Sequence, residues 1–293
     1  MSITSSSISR ARRGFLRGSA GVLLLGGAGA SVLSACGGAS DSGAAPEAPH
    51  MTSIENFRDM AGTGDGYPTA DGRRLRQGVF YRSGALNAND ADMFAMQRLS
   101  LYTIHDLRTL SEATLAPDRV PAGASRETHE IAPIDVSAAN PDDAAAARAW
   151  MIDRQREMIA DPLARVQFGA LLKRLAHKAG PQVVHGATGK DRTGWAAALI
   201  LAIADVPLDV IIQDYLMTNV VAEAQIAVRM SAHAARLGVP LAVVAPLHQA
   251  QSTTIEAAFD ELQKRFGTLN EYLVRGLSLG DDDIAMLRAK LVR

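Results

Sequence analysis

Along the chain, short β-branched and aromatic runs alternate with longer stretches of helical periodicity. GVFYR, at 78–82, reads as a strand that breaks into a turn at Arg82-Ser83-Gly84. Asn87 and Asn89 stand as caps before ANDADMFAMQRL, whose Met93, Met96 and Leu99 share one helix face. LYTIHDLRT predicts a second strand that ends in the polar pair Asp106 and Arg108. A further extended stretch, ETHEIAPID, follows a loop holding Pro121 and Gly123. Residues 138–179 are Ala-rich and helical by propensity, GPQVVHG is a short buried strand, and TGWAAALILAIADV is a strongly apolar helix. Strands alternating with helices predict an α/β fold with a mostly parallel central sheet flanked by helices.

The first residues follow another pattern. Arg12-Arg13-Gly14-Phe15-Leu16-Arg17 precedes a Gly/Ala-diluted apolar run that ends in Leu33-Ser34-Ala35-Cys36. A basic start, a short apolar middle and small residues before a cleavage point predict an export signal over 1–36. The paired arginines resemble a twin-arginine signal and L-S-A-C resembles a bacterial lipobox, which makes Cys36 the expected lipidation site. Residues 37–53, small and polar with Pro46 and Pro49, read as a flexible linker, and a globular domain is expected over 54–293. The expected protein is exported and held at a membrane by its lipid.

Composition narrows the function classes. The 293 residues carry a formal net charge of −1. Loss of Arg10, Arg12, Arg13 and Arg17 with the signal leaves 26 basic against 31 acidic residues, a formal −5. Such a surface argues against nucleic acid as a partner. The chain has one Cys, so neither an intramolecular disulfide nor a Cys-based zinc site is possible. His129, His177, His233 and His248 lack metal-ligand spacing along the chain, and neither a metal nor a cofactor is expected.

Chemistry concentrates in VVHGATGKDRTG, residues 183–194. A strand, a glycine loop and a helix N-terminus present backbone N–H groups and a helix dipole to an oxyanion. Gly186 and Gly189 let the backbone curl close, Arg192 offers a planar fork, Lys190 a second cation, and Thr188 and Thr193 hydroxyl donors. The phosphate-binding set expected from the pattern is His185, Gly186, Ala187, Thr188, Gly189, Lys190, Asp191, Arg192 and Thr193. A Walker loop does not fit: Val184 stands where its first Gly is needed, and Asp191 follows the Lys. Asp106 and Arg108, at a strand end, fit the rim of such a site, while Arg58 and Asp59 fit either a rim or a structural pair.

The loop resembles the H-C-x-x-G-K-D-R-T-G signature of cysteine-dependent protein-tyrosine phosphatases, in the branch of bacterial tyrosine and phosphoinositide phosphatases. Asn56-Phe57-Arg58-Asp59, Val79-Phe80-Tyr81-Arg82-Ser83-Gly84, Asp106-Leu107-Arg108-Thr109, Pro117-Asp118-Arg119 and Asp214-Tyr215-Leu216-Met217-Thr218-Asn219 recur in the same order in that family. The resemblance implies a phosphatase fold over roughly residues 54–293. It also implies a loop-orienting role for His185 and an acid role for Asp191. It places the family's nucleophilic cysteine at Gly186, six residues before Arg192.

Glycine cannot form a cysteinyl-phosphate. Phosphate-monoester hydrolysis needs up to ~10²¹-fold acceleration, whereas hydrolase sites stripped of their nucleophile keep only ~10³–10⁴ over water. The leading expectation is therefore binding, without cysteine catalysis, of a phosphorylated protein, a phosphoinositide or a small phosphoester. Two alternatives stay open: hydrolysis by a water activated by Asp191 or His185, and an interaction module whose anion site is vestigial. Met217, Met230, Met286, Trp150 and Trp195 read as core packing.

Overall fold

The computed structural model describes residues 48–293; the expected signal and Cys36 lie outside the described residues. Five strands, β1 (Arg58–Asp59), β2 (Phe80–Ser83), β3 (Thr103–Asp106), β4 (Ser125–Thr128) and β5 (Gln182–His185), form one sheet in the order β1-β2-β5-β3-β4. Only β1 runs antiparallel to its neighbour; β2, β5, β3 and β4 are parallel. This is the mostly parallel α/β sheet that the alternating pattern predicts.

Period-two alternation divides the sheet's side chains between two cores. Tyr81, Val183 and Ile104 pack on one face with Met96 and Leu99, from α1 (Asp90–Arg98) and the residue after it. Phe80 and Val184 pack on the other, against α4 (Pro162–His177) and α5 (Asp191–Ile203). The α5 helix is apolar on every side because it is enclosed on every side: Trp195 is fully buried, edge-on to Phe259 and Tyr272. Its neighbours are α6 (Leu208–Leu216), α10 (Ser252–Phe266) and α12 (Asp281–Leu291).

Several expectations change in detail. The Ala-rich stretch is two helices, α3 (Ala144–Ala160) and α4, divided at Asp161-Pro162. Proline lacks the N–H that a continuous helix needs, and the Asp161 carboxylate instead caps Leu163 and Ala164. The ordered domain also starts before Ile54. Met51 is buried, and the N–H groups of Thr52 and Ser53 donate to the Asp92 carboxylate at 3.0 and 2.6 Å. The last residues of the expected linker are therefore anchored. Met217 and Met286 are 40% and 37% exposed, not core: Met217 is the turn residue after α6, and Met286 lies on α12. No helix among the described residues is long and apolar enough to cross a membrane.

Candidate active site

The loop lies at the carboxyl end of the sheet, between β5 and α5, where parallel strands present ligand sites. It lines a cavity of about 450 Å³ together with Glu112, Leu115, Pro133, Ile134, Val136, Arg229, Leu247 and His248.

The loop's carbonyls are held from behind. Ala85 N–H donates to Ala187 O at 3.0 Å. The Asn56 amide donates to Gly189 O at 2.8 Å and, more weakly, to Thr188 O at 3.4 Å. Arg82 adds a second bond to Gly189 O at 2.9 Å. A trans peptide sets each N–H opposite the preceding C=O, so pinning these carbonyls outward turns the N–H groups of Thr188, Gly189 and Lys190 inward. Among the described residues none of these three N–H groups has an acceptor. The helix that follows has no side-chain cap at Lys190, so its first-turn donors face the same cavity. This is a nest for an anion. Gly189 makes it possible, with φ +71°; a Cβ there would sit 2.7 Å from the Ser83 carbonyl carbon.

Positive charge is built in beneath. Arg82 is fully buried and bonds Asp214 at 2.7 Å, while Arg58 reaches the other oxygen of Asp214 at 3.3 Å. Two guanidiniums share one carboxylate, which leaves a net cation behind the loop. Burial pushes the Asp214 carboxyl up, but Arg58 and Arg82 outweigh it and hold it below the usual range. Burial lowers Arg82 to about 10, so it stays charged at neutral pH.

Arg192 is clamped on one edge. Its Nη1 and Nη2 donate to the two Glu112 oxygens at 2.8 and 2.6 Å, and Nη1 also reaches the carbonyls of Ile131 and Leu107. Nε has no acceptor among the described residues and lies 3.9 Å from where a Cβ on Gly186 would stand. The Nε–Nη2 edge is thus the fork left for a ligand, and Glu112 fixes its direction. Lys190, in contrast, is buried and donates to Leu247 O at 2.6 Å. Burial lowers its pKa, and its ammonium braces the loop against α9 (Leu241–His248).

Gly186 itself has an ordinary φ. A Cβ built there meets only the Thr193 hydroxyl, at 3.1 Å, and Arg192. Thr193 Oγ1 and Asp191 Oδ1 are buried without hydrogen bonds, Oδ1 being 3.6 Å from the Lys190 ammonium. His185 is fully buried under the loop, with Nδ1 toward Gly186 O at 3.3 Å and Nε2 3.3 Å from Asp118.

A sequence model described as the tyrosine phosphatase family matches residues 49–293. The chain belongs to that family. It is 33% identical over 243 residues to a tyrosine-protein phosphatase of Cupriavidus necator whose name is itself provisional, covering 80% of this chain and 85% of that one. It is 31% identical over 195 residues to a triple specificity protein phosphatase of Mycobacterium tuberculosis, covering 56% of this chain and 66% of the other.

Within this phosphatase-family domain, all nine loop residues from His185 to Thr193 come together, and all but the buried His185 line the cavity. The four rim candidates do not line it. Asp106 and Arg108 are buried in an ion cluster: Arg108 grips Asp106 and Asp118 at 2.9 and 2.6 Å, and Arg126 adds a further bond to Asp106. That cluster orients His185 from below, and its carboxylates are already filled by arginines. Arg58 and Asp59 do not pair with each other; Arg58 serves Asp214, and Asp59 accepts from the N–H groups of Ala61 and Gly78. Burial raises the Asp59 carboxyl to about 6.

Sequence reasoning missed Glu112 as the partner of Arg192 and Asp214 as the pivot beneath the loop. Glu112 had a local signal: Thr109-x-x-Glu112 is a capping box that opens α2 (Leu110–Leu115). The same carboxylate that caps the helix holds the arginine. Asp214 carried no local signal for its pairing with arginines 132 and 156 residues away.

Proposed function

We propose that this tyrosine-phosphatase-family protein binds phosphorylated ligands in the loop 185–194 without cysteine-based catalysis. The ligand class is a phosphotyrosine protein, a phosphoinositide or a small phosphoester. The reading is carried by one observation: an inward-turned N–H nest, backed by the buried Arg82 and by Arg58, is intact around Gly186, where the family motif has its nucleophile. The chain's one Cys is Cys36, in the expected signal, so residues 48–293 hold no thiol. In this proposal Cys36 carries the lipid that tethers the exported domain.

A second reading is hydrolysis by water. It is favoured by the Asp191 carboxylate, which lines the cavity with Oδ1 unpartnered. A carboxylate beside the nest can take a proton from an attacking water.

The test measures p-nitrophenyl phosphate turnover and the Tm rise caused by inorganic phosphate, for wild type, Gly186→Cys and Arg192→Ala. Binding at 100 times Kd stabilises by about 2.7 kcal/mol, a readable shift. The expected outcome is a phosphate-dependent Tm rise in wild type without turnover, turnover restored by Gly186→Cys, and the Tm rise lost in Arg192→Ala. The Gly186 φ and the open space beside it admit the cysteine with only a small shift of the Thr193 hydroxyl. Turnover by wild type that Arg192→Ala abolishes selects the water route. Absence of any phosphate effect makes the nest vestigial.

A further inference from the structure

On the sheet face turned toward α4, away from the Asp106–His185 cluster, parallel pairing sets His105 of β3 beside Glu127 of β4. His129 follows two residues later, so alternation brings it to the same face. The His105 Nδ1 and His129 Nε2 atoms are 3.1 Å apart. One nitrogen of each ring and a Glu127 oxygen all lie within 4.8 Å of one another. Both rings are buried.

The proton positions are constrained by Gln182. Its amide nitrogen donates to Leu175 O and Lys178 O at 3.3 and 3.1 Å, so its oxygen must face His105 Nε2, 2.9 Å away. His105 Nε2 therefore carries the proton, and its Nδ1 presents a lone pair to His129. An imidazole whose outer N–H is fixed by an amide oxygen is the arrangement that supports a metal ligand.

We propose that His105, Glu127 and His129 form a binding site for a divalent transition metal of the zinc type, separate from the phosphate loop. Two imidazoles and a carboxylate are the donor set zinc accepts, with a water as fourth ligand. Tetrahedral zinc with bonds near 2.05 Å sets its ligand atoms roughly 3.3 Å apart, close to the present His–His separation. Binding replaces the His129–His105 hydrogen bond; the His129 proton moves to Nδ1, so both rings stay neutral and no proton need leave. Glu127 meets Arg174 of α4 at 3.4 Å and Lys178, the residue after that helix, at 3.0 Å. These cations weaken the site, but a carboxylate has lone pairs enough to keep one of them while ligating. The metal would staple the edge strand β4 to β3.

The test uses the full chain, stripped with a chelator and titrated with Co²⁺ and then Zn²⁺. Expected are one visible Co²⁺ band of tetrahedral type, saturating at one equivalent, its displacement by Zn²⁺, and a zinc-dependent Tm rise of several degrees. His129→Gln and Glu127→Gln should each weaken binding at least ~10-fold, and His233→Gln, whose Nδ1 lies 2.9 Å from His248 Nε2 in a separate histidine pair, should leave it unchanged. Glu127 is partly exposed and its variant should fold whatever becomes of His129→Gln. The proposal is overturned by the absence of both band and Tm rise, by a band that survives in Glu127→Gln, or by one that vanishes in His233→Gln.

Discussion

At the scale of single residues, the two glycines of the loop have different duties. Gly189 is required by the backbone: its left-handed φ and the Ser83 carbonyl leave no room for a Cβ. Gly189→Ala should cost about 2–4 kcal/mol, from left-handed strain plus the displacement of β2. Urea unfolding reads this directly; a loss under 1 kcal/mol would mean that the turn relaxes freely. Gly186 is required by nothing in the backbone, so its identity bears on chemistry and not on folding. The division between them was half legible in the chain. Both glycines marked a tight loop, but only the position of Ser83, brought in from β2, separates the constrained glycine from the unconstrained one.

At the scale of elements, the boundary between α3 and α4 rests on one side chain. Asp161 ends α3 and caps α4, accepting from Leu163 and Ala164 with Pro162 at the first helical position. Asp161→Ala should destabilise by about 1 kcal/mol, lowering Tm by roughly 2–4 °C for a domain of this size. Phosphate binding should be unaffected, since α4 contributes no side chain to the cavity. A scan of both properties in the variant tests that independence. Pro162 was visible inside the Ala-rich stretch; propensity summed over the window smoothed it away. The strands were clearer, because β-branched pairs such as Val183-Val184 are local signals. Their neighbours were not, since β5 sits between β2 and β3 only through crossovers.

For the whole molecule, buried ion clusters make stability depend on acid. Burial raises the carboxyls of Asp106, Asp118, Asp214 and Glu112, but their partners prevail: Arg108, His185, Arg58 and Arg192 respectively. All four are held below the ordinary range. A depressed folded-state pKa contributes stability that is present above the unfolded value and lost as pH falls through the folded one. The urea midpoint should therefore fall steeply below about pH 4. Asp59, raised to about 6, acts in the opposite sense, costing stability as pH climbs from its unfolded value through 6. A midpoint that stays flat from pH 5 to 3 would show that the clusters do not govern acid unfolding.

Taken alone, the amino-acid sequence determined whatever depends on neighbours within a few residues. That includes the alternation of strands and helices and the strand–glycine–helix loop with its run of donors. It also includes the absence of a thiol between residues 48 and 293. Tertiary structure alone decided what each charge meets. Glu112 takes one edge of Arg192 and leaves the other for a ligand, Asp214 gathers Arg58 and Arg82 behind the nest, and the expected rim residues are drawn inward. His105 meets His129 for the same reason. Apart from Asp106 and Arg108, which are sequence neighbours, these partners lie 24 to 156 residues apart, and hydrophobic burial of the sheet, not any local preference, brings them within bonding distance.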